Sequence, residues 1–328
     1  MILWMLVVQY GERDYNPFAK VGVAGSKFLQ LYTSPKVGAM GEASVSYFTD
    51  DPLLMVDNPA SAMFMSSKAV GVGFMPYWVQ TYVTDVAYIH PYGRFKFGGY
   101  VHAATSLNFK HTVVTDNGYE EKGTFNYTGM AVAFVMGARL TDKFSAALAP
   151  KLIYEGFGSF TSTYAFAVDV GTVFETGWHG VNIGMTVQNF GTDPRLSGNY
   201  VIYNFTGNEV VEDTLPYKAY NLPLTFRAGL SFDVFRRSYH ALIGVLEVNH
   251  PNDNAESYNL GFQYSYADMF FFRFGKKFRG GFQWTSDSHD EVLNFGFGLK
   301  FASMSFDYAY TVNYRMPDIS RFGLVYTF

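Results

Sequence analysis

Ser303-Met304-Ser305-Phe306-Asp307-Tyr308-Ala309-Tyr310-Thr311-Val312-Asn313 decides the fold class of this chain. Drawn as an extended strand, it puts Met304, Phe306, Tyr308, Tyr310 and Val312 on one face. Ser303, Ser305, Asp307, Ala309, Thr311 and Asn313 take the other. A period of two belongs to a β-strand whose faces meet unlike surroundings. The same division runs outward through the neighbouring segments. Phe322, Leu324, Tyr326 and Phe328 oppose Arg321, Gly323, Val325 and Thr327, while Leu293, Phe295, Phe297, Leu299 and Phe301 oppose Asn294, Gly296, Gly298 and Lys300. Near 258, Tyr258, Leu260, Phe262, Tyr264 and Tyr266 alternate with Asn259, Gly261, Gln263 and Ser265.

A soluble barrel packs its bulky apolar face inward. Here the opposite face is too small and polar to fill an interior, so the greasy face meets lipid and the polar face a lumen. Lipid offers backbone groups no partner, and a closed barrel pairs them all. Composition agrees, with 48% hydrophobic and only 16% charged residues, where a soluble domain carries about 25% charged. The 33 Phe, 25 Tyr and 32 Gly suit curved strands with aromatic faces.

The chain divides into about fourteen strands: 69–78, 82–91, 94–105, 125–139, 143–154, 160–174, 178–189, 222–236, 239–249, 255–266, 269–284, 292–301, 303–313 and 321–328. Every second connection is tight, at 91–93, 140–142, 175–177, 237–238, 267–268 and 302, and the long intervals 106–124 and 190–221 fall in the other set. Bacterial outer-membrane barrels put short turns in the periplasm and long loops outside. The expectation is an all-β, antiparallel transmembrane barrel of the bacterial outer membrane over 69–328, closed by a last strand ending on the aromatic Phe328.

Residues 1–68 read differently, as an N-terminal arm and hatch. Met1–Val8 is apolar but far shorter than the roughly 20 residues of a spanning helix. It lacks a basic start and a small-residue cleavage site, so it is either a truncated secretory signal or an apolar arm. Small residues alternate over Val37–Phe48, which suggests one short strand. Asp57-Asn58-Pro59-Ala60 has the chemistry of a helix cap followed by a first-turn proline, predicting a short helix near 58–66. A lumen ringed by fourteen strands is too wide for side chains to fill, so a folded-in hatch is expected, with a periplasmic lid or loose arm as alternatives.

Chemistry is harder to find. The absence of Cys excludes disulfides and thiolate metal sites, and a net charge of −4 without a basic, aromatic-interleaved block argues against nucleic acid. Gly71-Val72-Gly73 and Gly296-Phe297-Gly298 sit inside strand patterns and relieve crowding; they do not form a phosphate loop. The seven His have no ligand spacing, and His289 between Asp287 and Asp290 reads as a solvated loop. No Ser/His pairing supports catalysis, so a non-enzymatic protein without cofactor is expected. Asp169, Arg227, Asp233, Lys300 and Asp307 fall on predicted inward faces. Ionisable groups at membrane depth require polar protein or water. They mark either a wet, mutually paired interior or the lining of a selective conduit.

Lys20-Val21-Gly22-Val23-Ala24-Gly25-Ser26-Lys27-Phe28-Leu29, Lys36-Val37-Gly38-Ala39-Met40-Gly41-Glu42-Ala43 and Asn58-Pro59-Ala60-Ser61 together resemble the N-terminus of PorV/PorQ proteins, relatives of the FadL transporters. The resemblance continues through Asn294–Phe301 and Phe306–Tyr310. It implies a fourteen-stranded barrel with an N-terminal hatch, in which Asn58, Pro59 and Ala60 are structural. It further implies a component of a type IX-like secretion system, handing over cargo with other secretion subunits as partners. A FadL-like transporter of hydrophobic small molecules is the alternative. Gly38, Ala39, Met40 and Gly41 are adjacent where the family's stretch is longer, and Glu42 stands where Gly is common, which leaves the branch open.

Overall fold

The computed structural model describes residues 21–115, 118–206, 209–279 and 291–328. Sixteen strands follow in chain order: β1 (Ala69–Tyr77), β2 (Thr81–Tyr92), β3 (Phe95–Thr115), β4 (Gly118–Arg139), β5 (Phe144–Phe157), β6 (Thr161–Glu175), β7 (Asn182–Gly191), β8 (Asn199–Thr206), β9 (Glu209–Pro216), β10 (Thr225–Arg237), β11 (His240–Pro251), β12 (Ser257–Tyr266), β13 (Phe270–Arg279), β14 (Glu291–Phe301), β15 (Met304–Asn313) and β16 (Ile319–Thr327). Fourteen of them form a closed antiparallel barrel in which each strand pairs with its neighbour in sequence, β7 with β10, and β1 with β16. Strands β8 and β9 make a separate hairpin on the β7–β10 connection.

The wall inverts a soluble protein. Along β4, Met130, Val132, Phe134 and Met136 point outward, while Ala131, Ala133 and Val135 are buried between them. Leu152, Phe166 and Phe272 are each more than half exposed, whereas Lys151, Asp169 and Arg273 next to the same strands' apolar faces are buried. This apolar exterior meets the bilayer while the closed ladder of strands pairs the backbone within the wall. The tight turns at one end use backbone that twists with the strands. Ala267 and Asp268 have φ of 54° and 52° between β12 and β13, the left-handed pair that a short hairpin turn favours.

Residues 21–68 lie inside this ring. Short helical turns at Lys27–Gln30, Pro52–Val56 and Pro59–Phe64, and α1 (Pro35–Ala39), contribute mostly buried side chains, with Lys27 the exposed exception. Their contacts reach all fourteen strands of the ring, which only a segment in the lumen can do. Close approach explains several glycines. Gly41 has φ of +64°, and a Cβ on it would lie 2.6 Å from the Lys276 backbone. On the wall side, a Cβ on Gly184 would lie 2.0 Å from the Val45 carbonyl oxygen.

The strand count and antiparallel closure match the sequence reading, but three details change. Val37–Phe48 is no strand: Pro35 opens the five-residue helix α1 and tight turns follow. Its small residues serve packing against the wall on every side, so their alternation carries no face. The interval 106–124 is not a loop, because β3 and β4 run on as a long hairpin with irregular register at Ser106/Phe109 and Lys110/Thr112. Beyond the apolar belt both faces meet water, and period two disappears. The helix near 58–66 is a 3-10 turn, Pro59–Phe64, with the Asn58 side chain accepting the Ala60 N–H at 3.0 Å. Met1–Val8, Lys20, the 280–284 end of the predicted 269–284 strand, and His289 with Asp287 and Asp290 lie outside the described residues.

Candidate functional site

The interior is an ionic framework between wall and luminal segment. Arg227 on β10 is fully buried. Its Nε donates to Glu247 of β11 at 2.7 Å, Nη1 to Asp57 at 3.0 Å, and Nη2 to the Glu42 carbonyl and the Ser44 hydroxyl, both at 2.9 Å. The other Glu247 oxygen accepts the Ser44 and Val45 N–H groups at 2.8 Å. One guanidinium therefore joins two wall strands to residues 42–57, and its remaining face lies 5.0 Å from the Tyr32 ring centre. A cation without water is tolerated only when its charge and hydrogens are matched in this way.

A second anchor holds α1. Lys36 sits 2.8 Å from Asp51 and 3.4 Å from Asp307 of β15, while Arg273 donates to Asp307 at 2.7 Å and to Gln263 at 2.6 Å. Tyr47 donates to the same Gln263 oxygen at 2.6 Å. A third anchor uses β2 and β3. His102 bonds Asp85 at 2.5 Å through Nδ1 and the Phe28 carbonyl at 2.8 Å through Nε2, and Thr33 donates to the other Asp85 oxygen. Thr33 meets the carboxylate and not the imidazole, so these three groups form no nucleophile–base pair. Glu155 of β5 accepts from Ser26 at 2.6 Å, Tyr127 at 2.9 Å and Tyr220 at 2.7 Å, tying the segment to the outer connection. Burial and the Glu155 carboxylate keep the Tyr220 phenol protonated, well above its ordinary pKa.

The sequence-derived residues separate into two groups. Asp57, Arg227 and Asp307 are brought into the anchors, with Asp57 and Arg227 in direct contact across 170 residues of chain. Asp169 is buried within the wall, bonded by Lys151 at 2.8 Å, the Asn189 N–H at 2.7 Å and Tyr100 at 3.2 Å. Asn58 caps its turn and donates to the Val45 carbonyl at 2.7 Å, holding Pro59 and Ala60 against β6. Asp233 instead pairs locally with Arg236 at 3.1 Å beside a register shift, and Lys300 reaches Asp50 at 3.7 Å with both side chains more than two-fifths exposed. Those two stand at the tight-turn rim, outside the framework.

Glu247, Lys151, Arg273, Asp85 and His102 were not singled out from sequence. Parity would have found Glu247, between the outward Leu246 and Val248, and Arg273, between Phe272 and Phe274. No group of three or more metal-ligating side chains occurs among the described residues. A cavity of about 340 Å³ opens above the luminal segment at the long-loop end, between Tyr32, Arg321, Ser257 and Trp78.

Solved structures of the same architecture exist. The chain superposes on the Ralstonia pickettii toluene transporter TbuX with a TM-score of 0.61 at 12% identity, covering 90% of this chain and 98% of that one. Its fold is that of the FadL-type barrels. The monoaromatic hydrocarbon channel CymD gives a TM-score of 0.63 at 13% identity over 90% and 97% of the two chains. A FadL homologue of Pseudomonas aeruginosa gives 0.55 at 12% identity over 90% and 98%. No protein-family model and no curated protein matches the sequence.

The architecture and these neighbours make the protein a bacterial outer-membrane β-barrel. They also correct the expected secretion role. The neighbours that superpose over most of the chain are hydrocarbon transporters and channels and a FadL homologue, not secretion components. The motifs behind the PorV/PorQ resemblance have another use here. Gly38 and Gly41 let the segment touch Arg321 and Lys276 of the wall, and Asn58 to Ala60 seat it against Gly171. They report a packed luminal segment and carry no information about cargo.

Proposed function

We propose that the protein is an outer-membrane transporter for hydrophobic small molecules and that residues 21–68 are its hatch. The observation that carries this reading is the occupied lumen of a FadL-type barrel. A fourteen-stranded ring left empty is a water-filled pore, whereas here buried ion pairs fix a folded segment across it. Such a barrel blocks free diffusion of hydrophilic solutes and admits only what displaces or passes the segment. In this reading Asp57, Asn58, Pro59 and Ala60 are the hatch's structural latch, and Asp169, Arg227 and Asp307 belong to a paired interior. Non-enzymatic transport also accords with TbuX, TodX and CymD, named as transporters or channels for toluene and monoaromatic hydrocarbons.

The test compares uptake of radiolabelled toluene and of a long-chain fatty acid by cells with and without the protein. Uptake should fall on deletion and return on complementation. Unchanged uptake of every apolar probe tried would sink the proposal.

A further inference from the structure

The cavity at the outer mouth is not built like a hydrocarbon site. At about 340 Å³ it sits at the small end of ligand pockets. Its charged lining can be accounted for residue by residue. Lys277 pairs with Glu42, and Lys27 pairs with Asp253. Burial raises the Glu42 pKa, but Lys277, with the more distant Arg321 and Arg279, outweighs it and brings the group to about 2, so this carboxylate stays charged and its lysine stays occupied. Two arginines remain. Arg321 is only 5% exposed, and its Nε and Nη1 donate to neutral oxygens, the Tyr32 carbonyl at 3.0 Å and Thr311 Oγ1 at 2.6 Å. Arg279 lines the same cavity, and neither arginine has a carboxylate within 4.0 Å among the described residues.

Four cations, Lys27, Lys277, Arg279 and Arg321, thus face two carboxylates, Glu42 and Asp253, and this surplus of positive charge draws an anion toward the cavity. Uncommitted polar groups stand beside it. Ser257, 3% exposed, has no hydrogen-bond partner for its hydroxyl, and the Asn249 side-chain oxygen, an acceptor, has none either. Asn249, Ser257 and Arg279 are direct cross-strand partners on β11, β12 and β13, so they form one row along the lining. The cavity's opposite rim is aromatic. Tyr77 and Trp78 stack at 4.6 Å, and Trp78 is fixed by donating to the Pro317 carbonyl at 2.7 Å.

We infer that this cavity binds a small aromatic carboxylate, its anion shared between Arg279 and Arg321 and its ring against Tyr77 and Trp78. Planar guanidinium groups match the two oxygens of a carboxylate. The Ser257 hydroxyl supplies a further donor. The small volume and polar row fit a compact ring acid better than an extended acyl chain. The inference rests on the transport reading, since it names what the outer mouth would capture before passage.

Calorimetry on the full-length protein in detergent, with benzoate as the probe and toluene and dodecanoate as comparisons, tests it. Benzoate should bind with one site per barrel and weaken as salt rises. Arg279→Gln should lower its affinity about ten- to a hundredfold, with folding checked by the gel shift between unboiled and boiled barrel. Arg321→Lys keeps the charge but loses the fork, and should also weaken benzoate. No benzoate binding, or binding unaffected by both substitutions, would overturn the inference, as would tighter binding of dodecanoate with the same dependence on Arg279. Toluene uptake by cells separates the two readings. Benzoate binding without toluene uptake leaves the site standing and removes hydrocarbon transport; uptake without benzoate binding does the reverse.

Discussion

The wall of this barrel and the segment within it bury side chains under opposite rules. Each wall strand has two solvents, lipid outside and polar protein inside, so its side chains alternate and every second residue is spoken for. The luminal segment has one environment on all sides, and its residues are chosen singly for what they touch. Arg227 is where the two regimes meet, a wall residue whose partners are Glu247 of the wall and Asp57 of the segment. Arg227→Met should be the most damaging single change. It leaves both carboxylates buried without their cation, at a cost of about 3–5 kcal/mol. Denaturant unfolding should show that loss, and amide exchange should rise over residues 42–58 before it rises in the strands. Equal loss of protection in both regions would mean that segment and wall unfold as one body.

The wall breaks in a different way. Phe134 stands in the middle of the outward row of β4 and is 50% exposed. Phe134→Arg should cost about 2–4 kcal/mol because lipid offers a cation nothing. Its neighbour Ala133 is 5% exposed and faces the interior, so a charged group there meets crowding and not lipid. Refolding into bilayers of defined thickness would separate the two cases: only the Phe134 variant's penalty should shrink when the bilayer is thinned.

These contrasts explain what was legible beforehand. Alternation survives in sequence because each face of a strand answers to its own medium, and this is why Met304 to Val312 sufficed for the fold and why Asp307, Asp169 and Arg227 could be placed inward. The pairings could not be read, because Asp57 meets Arg227 only once the chain has run through the wall from β1 to β10. Residues 37–48 misled for the complementary reason. Small residues alternate there by coincidence, each excused by a separate close approach, as Gly41 is by Lys276 and Val45 by Gly184. Asn58-Pro59 was readable since a cap is a local arrangement that needs no neighbour. The anion-matching arginines were missed as a pair because Arg279 and Arg321 lie on strands separated around the ring.

Gly41 offers a smaller and more local test of the same contrast. Its left-handed backbone and its contact with the Lys276 backbone leave no room for a side chain. Gly41→Ala should cost about 1–3 kcal/mol. The effect should be confined to the segment, read as faster proteolysis near residue 41 with the barrel's gel mobility unchanged. Gly93, also at positive φ (+58°) but with open space where a Cβ would go, lies in a wall turn. Gly93→Asn, which tolerates that backbone, should be close to neutral.

The finest test lies at Asn58, where capping and luminal burial use one side chain. Its oxygen accepts the Ala60 N–H at 3.0 Å, and its nitrogen donates to the Val45 carbonyl at 2.7 Å. At an exposed helix start Asn and Asp cap equally well, and replacing either with Ala costs about 1 kcal/mol. Inside the lumen the order should change. Asn58→Ala loses the cap and leaves the Val45 carbonyl without its side-chain donor. Asn58→Asp keeps the cap, yet turns a donor into a carboxylate oxygen facing that carbonyl, in a place with no water to separate them. The Asn58→Asp variant should therefore be the worse of the two, and thermal unfolding of both would show it. If Asn58→Asp left the protein as stable as the parent, the turn would be behaving as a surface cap, and Asn58 would be a helix signal alone.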